Sequence, residues 1–157
     1  MILDDTLVAE IEDYCARYPT RRAALLPGLH AIHHRLGCVS PAAVVELAGL
    51  LGLAPAEVQD TLSFYGFFKQ DAPVGRYRVW VCRSISCSAC GSEPLLAYLC
   101  DRLGIRPGQT TADGRISLEF AECLGGCDGA PAMLVNDTLY KQLTQAKIEE
   151  FLAGIRS

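Results

Sequence analysis

The spacing of apolar residues along the chain changes near residue 73. Up to that point, apolar residues recur every three or four positions, which is typical of amphipathic helices. From Arg76 onward, apolar and polar residues alternate over short runs, which is typical of strands. The pattern predicts an N-terminal helical domain over residues 1–72 and a second domain that contains strands over residues 73–157.

Capping residues and prolines divide the first domain into four predicted helices. The helices are expected over residues 4–18, 21–36, 41–51 and 55–64. Pro27 lies inside the second helix and predicts either a kink or a late start, because proline has no backbone N–H to donate. Aromatic residues follow at the end of the fourth helix, and they can fill the helical core or face a partner: Phe64, Tyr65, Phe67 and Phe68.

The second domain is predicted to contain strands and helices in the order β-α-β-β-α. Strands are expected over residues 77–81, 116–120 and 132–135. The third strand ends at a tight hairpin turn, Asn136-Asp137, which leads into Leu139-Tyr140. Ser92 and Thr144 are the predicted N-caps of the two helices. This order predicts an α/β fold, a small sandwich of thioredoxin-like type.

Two pairs of cysteines follow the first two of these strands. Cys82 and Cys87 are separated by four residues, and Cys123 and Cys127 by three. If the two strands are neighbours, the two pairs meet at one edge of the sheet. Four thiolates with no histidine or carboxylate among them suit an iron–sulfur cluster or zinc, since both accept four sulfur ligands.

The residues leave three other uses of these thiols open. Cys82, Cys87 and Cys90 with Cys123 match the spacing of plant-type ferredoxins. Cys87-Ser-Ala-Cys90 follows a strand and precedes a helix, which is the context of a stand-alone dithiol oxidoreductase. Structural zinc on Cys82, Cys87, Cys123 and Cys127 fits less well, because zinc ligand pairs usually lie closer together along the chain.

Charge and composition exclude several classes of function. The net charge of −4 and the pI of about 5.3 argue against a nucleic-acid partner. No apolar run approaches the ~18–20 residues of a membrane helix, so direct membrane insertion is not expected. The mean hydropathy of +0.21 predicts a surface that a partner covers. The sequence shows no Gly-rich dinucleotide fingerprint and no Ser-His-Asp arrangement, so we expect neither an NADH site nor a hydrolytic centre on this chain.

The remaining cysteines and histidines are expected to have no metal-binding role. Eight cysteines without a basic N-terminal signal favour a reducing compartment over a disulfide framework. Three of them are expected to be small buried side chains in helices or caps: Cys15, Cys38 and Cys100. We expect His30, His33 and His34 to form a polar face at a subunit contact, because no third metal ligand accompanies them.

The cysteine motifs resemble those of a known family. Cys82-x4-Cys87 and the run Cys-Leu-Gly-Gly-Cys-Asp-Gly-Ala-Pro-Ala-Met-Leu-Val-Asn-Asp from Cys123 are similar to the thioredoxin-like 2Fe–2S subunit of the NADH-oxidising arm of respiratory complex I. The segments Leu-Leu-Pro-Gly-Leu-His at 25–30 and Ser-Phe-Tyr at 63–65 extend the resemblance over nearly the whole chain. Related subunits occur in NAD-dependent formate dehydrogenases and NAD-linked hydrogenases. Two departures from the family pattern are the extra thiol of Cys90 and a glycine at position 126.

The resemblance implies both a ligand set and a role. It implies that one 2Fe–2S cluster is bound by Cys82, Cys87, Cys123 and Cys127. The chain is then expected to be an electron-transfer subunit of an NADH:quinone oxidoreductase, with a formate dehydrogenase or hydrogenase as the alternative parent complex. FMN and NADH are expected on a larger partner subunit that the N-terminal helices dock, with other Fe–S subunits in the same complex. A cytoplasmic location, peripheral to the membrane, is the expectation that goes with this role.

Overall fold

The computed structural model describes residues 2–155, which form two compact units. The first unit runs up to Pro73, and the second begins at Val74. Each unit has its own buried apolar core. The first consists of helices and the second combines helices with a sheet, so the predicted α/β fold with an N-terminal helical bundle is confirmed.

The first unit is built from the four helices that the sequence predicts. They are α1 Asp5–Arg17, α2 Leu25–Leu36, α3 Pro41–Leu51 and α4 Pro55–Phe64. Apolar side chains on their inner faces form the core, among them Leu7, Ile11, Leu29, Ile32, Leu47 and Leu62. The Ser40 hydroxyl accepts a hydrogen bond from the Ala43 N–H at 3.3 Å and so caps α3. Gly37 and Gly52 end α2 and α3 in the left-handed conformation, as predicted.

The second helix starts late, which is one of the two outcomes that Pro27 predicts. A separate 3-10 turn at Arg21–Ala24 precedes α2, which begins at Leu25. Pro27 therefore lies in the first turn of α2, where backbone N–H groups have no partner within the helix and proline is tolerated. The proline sets the start of the helix rather than interrupting it.

Within residues 74–155, the second unit is a five-stranded mixed sheet with three α-helices and a short 3-10 helix at Cys127–Gly129. Its elements are β1 Tyr77–Cys82, α5 Ile85–Ala89, α6 Ser92–Leu103, β2 Gln109–Thr110, β3 Ile116–Ala121, β4 Met133–Val135, β5 Thr138–Tyr140 and α7 Gln145–Gly154. The strand order is β2-β3-β1-β4-β5. β1 and β3 are parallel neighbours, with Cys82 opposite Ala121, and β4 runs antiparallel to β1. The parallel pair places the carboxyl ends of β1 and β3 side by side.

Apolar side chains from the sheet and two helices form the core of this unit. Val79 and Leu118 lie opposite each other on β1 and β3, and both are fully buried. Leu99 of α6 and Ile148 of α7 belong to the same buried cluster. Packing of the sheet against α6 and α7 therefore holds the strands that carry the cysteines.

Two short elements and one cap differ from the sequence prediction. The helix Ile85–Ala89 and the strand Gln109–Thr110 were not predicted, since neither is long enough to show an apolar period. Ser92 is not the N-cap of α6; it is the first helical residue, and Gly91 is the cap. Thr144 does cap α7, and its hydroxyl accepts a hydrogen bond from the Lys147 N–H at 3.2 Å.

One of the three histidines is buried against aromatic rings in the first unit. His33 is only 5% exposed, so the prediction of a polar surface formed by all three histidines is wrong for this residue. Its ring centroid lies 5.1 Å from that of Phe67. Phe68 is also buried in the helical core, whereas Phe64 is 80% exposed. The aromatic segment therefore divides between the core and the surface.

No single helix within residues 2–155 is long and apolar enough to cross a membrane. The helices α3 and α4 meet the length and composition criteria only when taken together, and they are bent by 120° relative to each other.

Candidate metal centre

The backbone brings the two cysteine segments to one edge of the sheet. Cys82 is the last residue of β1, and Cys123 follows the end of β3 by two residues. The Arg83 N–H donates to the Ala121 carbonyl at 2.9 Å, and the Cys82 N–H donates to the Ala132 carbonyl at 3.1 Å. These two hydrogen bonds hold the C-terminal end of β1 between the C-terminal end of β3 and the residue that precedes β4.

The first cysteine pair is buried. Cys82 and Cys87 are each 1% exposed, and they form a small cluster with Ala132. Cys87 reaches this position because the five-residue helix α5 turns the chain back after β1. The side chains of Leu124 and Leu139 pack against the same cluster. Water is therefore excluded from this side of the site.

The second cysteine pair is exposed and closely spaced. The sulfur atoms of Cys123 and Cys127 lie 3.9 Å apart. Two thiolates on one tetrahedral metal, with metal–sulfur bonds of ~2.3 Å, have their sulfurs about 3.8 Å apart. The Gly125 N–H points at the Cys123 sulfur at 3.4 Å, and the left-handed conformation of Gly125 (φ 74°) permits this approach. The second pair is thus spaced for one metal ion.

The thiols influence one another electrostatically. Burial, together with the neighbouring Cys82 thiol, raises the pKa of Cys87 to about 11. A hydrogen bond with Cys123 raises the pKa of Cys127, and the Ser86 hydroxyl acts in the opposite direction. Cys127 also raises the pKa of Cys87, and Cys82 raises that of Cys127, in agreement with the parallel pairing of β1 and β3, which brings the two segments together. Metal ligation here must displace protons from the thiols.

Lys141 holds the loop that carries Cys127. Its ammonium group bonds both carboxylate oxygens of Asp128, at 2.7 and 2.8 Å. A Cβ added at Gly129 would lie 2.8 Å from the Cβ and Cδ atoms of Lys141, so only glycine fits there without a shift. At Gly126, an added Cβ would lie 3.2 Å from Leu139. The glycine that departs from the family pattern thus lies in close contact with β5.

An ion pair joins the two cysteine segments on the outside of the site. The Arg83 guanidinium bonds one carboxylate oxygen of Glu122, at 2.8 and 3.1 Å. The same guanidinium lies 3.6 Å from the centre of the Phe120 ring. Phe120 is 39% exposed and Ile85, at the start of α5, is 87% exposed. The site therefore has an apolar rim that contains one ion pair.

Cys90 differs from its neighbour Cys87 in being exposed. It is exposed at the C-terminal end of α5, and no contact described within residues 2–155 joins its sulfur to Cys82, Cys87, Cys123 or Cys127. Ser86 and the Gly125 N–H are contacts to sulfur that the sequence did not reveal. A cysteine motif indicates where thiols lie, but it does not show which neighbouring groups face them.

The donor set and its environment fit an iron–sulfur cluster. Four sulfur donors, two of them in a dry pocket and two at its edge, match the all-thiolate ligand sets of such clusters. Among residues 2–155, no three histidine, cysteine, aspartate or glutamate side chains are arranged to hold a single metal ion. Two thiols for each of two irons remain compatible with this arrangement.

A sheet of this topology with thiols at the ends of β1 and β3 defines a class of small redox proteins built on a thioredoxin-like fold. Residues 11–156 match the family model described as thioredoxin-like [2Fe-2S] ferredoxin, and the chain belongs to this family. The thioredoxin-like assignment made from the sequence is confirmed.

Curated relatives match over nearly the whole chain. NADH-quinone oxidoreductase subunit 2 of Thermus thermophilus is 41% identical over 150 residues, which cover 94% of this chain and 82% of the relative. An NADH-quinone oxidoreductase subunit of Rhizobium meliloti is 39% identical, covering 97% of this chain and 90% of the relative. One from Aquifex aeolicus is 34% identical, covering 95% and 92%. The resemblance to the complex I subunit is therefore confirmed.

Solved structures of a hydrogenase share the fold. The NAD+-reducing [NiFe]-hydrogenase in its H2-reduced state matches 84% of this chain with a TM-score of 0.73 and 32% sequence identity. The matched region is only 22% of that hydrogenase chain, so this protein corresponds to about a fifth of it.

Proposed function

We propose that this chain is the electron-transfer subunit, carrying one 2Fe–2S cluster, of an NADH:quinone oxidoreductase. The observation that carries the proposal is the meeting of two cysteine pairs at one sheet edge in a member of this ferredoxin family. The relatives that match the chain almost end to end are named as subunits of such oxidoreductases. A bound 2Fe–2S cluster supplies one-electron redox chemistry.

Four cysteines are the proposed ligands. Cys82 and Cys87 hold one iron from the buried side, and Cys123 and Cys127 hold the other from the exposed side. The sulfur separation of 3.9 Å in the second pair supports this division. The Gly125 N–H, which points at the Cys123 sulfur, stabilises negative charge on that ligand.

The dithiol alternative is disfavoured by the environment of Cys87. An attacking thiol in a thioredoxin-like site has a lowered pKa, because the thiolate is the nucleophile. Burial instead raises the pKa of Cys87 to about 11, so its thiolate is scarce at neutral pH. This environment suits a ligand that loses its proton to a metal ion rather than to solvent.

Structural zinc on the same four sulfurs is the less favoured alternative. Zinc ligand pairs usually lie closer together along the chain than Cys87 and Cys123, which are separated by 35 residues. The family model that the chain matches is that of a [2Fe-2S] ferredoxin, which also favours iron and sulfide over zinc.

The partner is proposed to be a larger subunit that binds FMN and NADH. Other Fe–S subunits accompany it in the complex, on the cytoplasmic side of a membrane. The exposed Ile85 and Phe120 beside the cysteines offer an apolar surface where a redox partner approaches the site. A γ-type subunit of a formate dehydrogenase or hydrogenase is the second candidate, which the structural likeness to the NAD+-reducing hydrogenase favours.

Two linked experiments test this proposal. NADH is added anaerobically to the purified chain, alone and with the flavin subunit from the same organism. The iron–sulfur signal in electron paramagnetic resonance (EPR) spectra is expected to appear only when the flavin subunit is present. Identification of subunits that co-purify with the tagged chain then separates the parent complexes. An iron-free chain that reduces disulfides would contradict the proposal.

A further inference from the structure

Ser92 buries a hydroxyl group that lacks a hydrogen-bond partner. Its side chain is 0% exposed, and its Oγ finds no donor or acceptor among residues 2–155. A buried hydroxyl without a partner is unfavourable, because the group has lost its bonds to water. Such an orphan in a native fold points to a group that binds next to it.

This hydroxyl lies at the positive end of a helix. Ser92 is the first residue of α6, a helix of 12 residues. Gly91 precedes it in the left-handed conformation (φ 86°) and has no side chain with which to cap the first turn. The first N–H groups of α6 therefore keep their affinity for a negative group.

The cysteine site lies next to this helix end along the chain. Cys87 is five residues before Ser92, and the helix α5 that carries it packs against α6. Cys87 is 1% exposed, so an ionised sulfur there has almost no water to solvate it. A buried thiolate of this kind needs hydrogen-bond donors or a positive dipole in compensation.

We propose that the Ser92 hydroxyl donates a hydrogen bond to sulfur at the Cys87 end of the bound 2Fe–2S cluster. The inference rests on the proposed function and adds a cofactor-binding residue to it. The observation is the coincidence of a fully buried, unpartnered hydroxyl with an uncapped helix start five residues along the chain from the buried ligand Cys87. No cysteine motif includes this residue.

The sign of its effect follows from charge. Reduction adds one negative charge to the site, and a donor to sulfur stabilises the more negative state. Ser92 thus raises the reduction potential. Loss of the hydroxyl shifts the midpoint potential to more negative values.

The test compares three variants of the full chain. Ser92→Ala removes the hydroxyl, Ser92→Thr retains one, and Ser88→Ala makes the same deletion at an exposed position on α5. Midpoint potentials are measured by EPR-monitored redox titration. Thermal unfolding is measured for each protein with and without the cluster. Ser92→Ala is expected to have a more negative potential than wild type, whereas Ser88→Ala and Ser92→Thr keep the wild-type value.

Unfolding gives a second readout. The cluster-free Ser92→Ala protein is expected to melt at a higher temperature than wild type, because it no longer buries an unpaired hydroxyl. With the cluster bound, the Ser92→Ala protein is expected to melt no higher than the wild type, because it lacks the hydrogen bond to the cluster. A folded Ser92→Ala protein that fails to retain the cluster, while Ser92→Thr retains it, would also support the inference.

Two outcomes would overturn it. One is a loaded Ser92→Ala protein with the wild-type potential and an undiminished gain in melting temperature. The other is an equal shift of potential in Ser92→Ala and Ser92→Thr, which would assign the effect to packing. Either result leaves the proposed function intact, whereas a wild-type chain that binds no iron refutes the proposed function itself.

Discussion

The sulfur atoms of Cys123 and Cys127 lie 3.9 Å apart on the exposed side of a site whose other thiols, Cys82 and Cys87, are buried. This asymmetry predicts an order of chemical reactivity. In the cluster-free protein, iodoacetamide is expected to modify the two exposed thiols well before the two buried ones, because the reagent must reach the sulfur. Mass spectrometry of peptides gives the rate at each cysteine.

The same labelling experiment tests the ligand set. Cys90 is exposed in the structure and serves as an internal control. With the cluster bound, Cys123 and Cys127 are expected to become unreactive while Cys90 stays reactive. Protection of Cys90 together with continued reaction of Cys127 would instead support the plant-type set of Cys82, Cys87, Cys90 and Cys123.

The buried thiol of Cys87 predicts a pH dependence of stability in the cluster-free protein. Burial raises its pKa from 9.0 to about 11, so the folded state holds this proton more tightly than the unfolded chain. The stabilising contribution is therefore complete below about pH 9 and is lost as the pH rises toward 11. Urea unfolding across this range is expected to show a decline in the free energy of unfolding.

A variant isolates this contribution from the other thiols. Cys100 and Cys127 also have raised pKa values, the first mainly through burial and the second mainly through its hydrogen bond with Cys123. Cys87→Ser is expected to show a shallower decline than wild type over the same range. If the free energy of unfolding declines equally in the wild type and in Cys87→Ser, the pKa of Cys87 is not raised in the folded protein.

Gly129 is expected to tolerate no larger side chain. An added Cβ would lie 2.8 Å from the Cβ and Cδ atoms of Lys141, whose ammonium group holds Asp128 beside Cys127. Gly129→Ala is predicted to destabilise the protein by about 1–3 kcal/mol, as overpacking generally does. It should also speed the loss of iron to a chelator, because the ligand loop must shift.

A matched glycine provides the control. Gly49 lies within α3, and an added Cβ there meets nothing within 4 Å. Gly49→Ala should stabilise the protein by about 1 kcal/mol, the usual gain for alanine over glycine inside a helix. If the two substitutions change the rate of iron loss to the chelator equally, the contact between Gly129 and Lys141 has no specific role in holding the ligand loop.

Ile85 is predicted to contact the redox partner. The side chain is 87% exposed at the start of α5, two residues before Cys87. Ile85→Glu should weaken binding of the flavin subunit at least tenfold, because a charge would be buried in an apolar contact. Gln109→Glu on the exposed strand β2 adds the same charge elsewhere and should leave binding unchanged. Equal affinities for both variants, measured by calorimetry, would place the partner on another surface.

The sequence predicted the elements that have a clear apolar period. The alternation in 77–81 and 116–120 located β1 and β3, and prolines and glycines located the helix ends in the first unit. The five-residue helix α5 escaped prediction, because its single turn has no period to detect. That helix is what buries Cys87, so the difference between buried and exposed thiols was not predictable.

Long-range pairing and side-chain orientation also required the structure. No local pattern states that β3 pairs with β1 in parallel while β4 pairs antiparallel on the other side. His33 is polar by sequence yet lies among aromatic rings. Ser92 has the sequence signature of an N-cap. The helix α6 begins at Ser92 itself, so Gly91 takes the cap position and the Ser92 hydroxyl is buried without a partner.

The central claim is that four thiolates hold one 2Fe–2S cluster. The measurement that tests it most directly is low-temperature EPR on anaerobically purified protein, before and after dithionite, for the wild type, Cys123→Ser and Cys90→Ser. The oxidised wild type is expected to give no EPR signal, and on reduction it should gain one S = 1/2 signal of about one spin per chain. The signal should be retained in Cys90→Ser and lost or strongly altered in Cys123→Ser. No iron and no signal in the wild type, or loss of the cluster in Cys90→Ser, would contradict it.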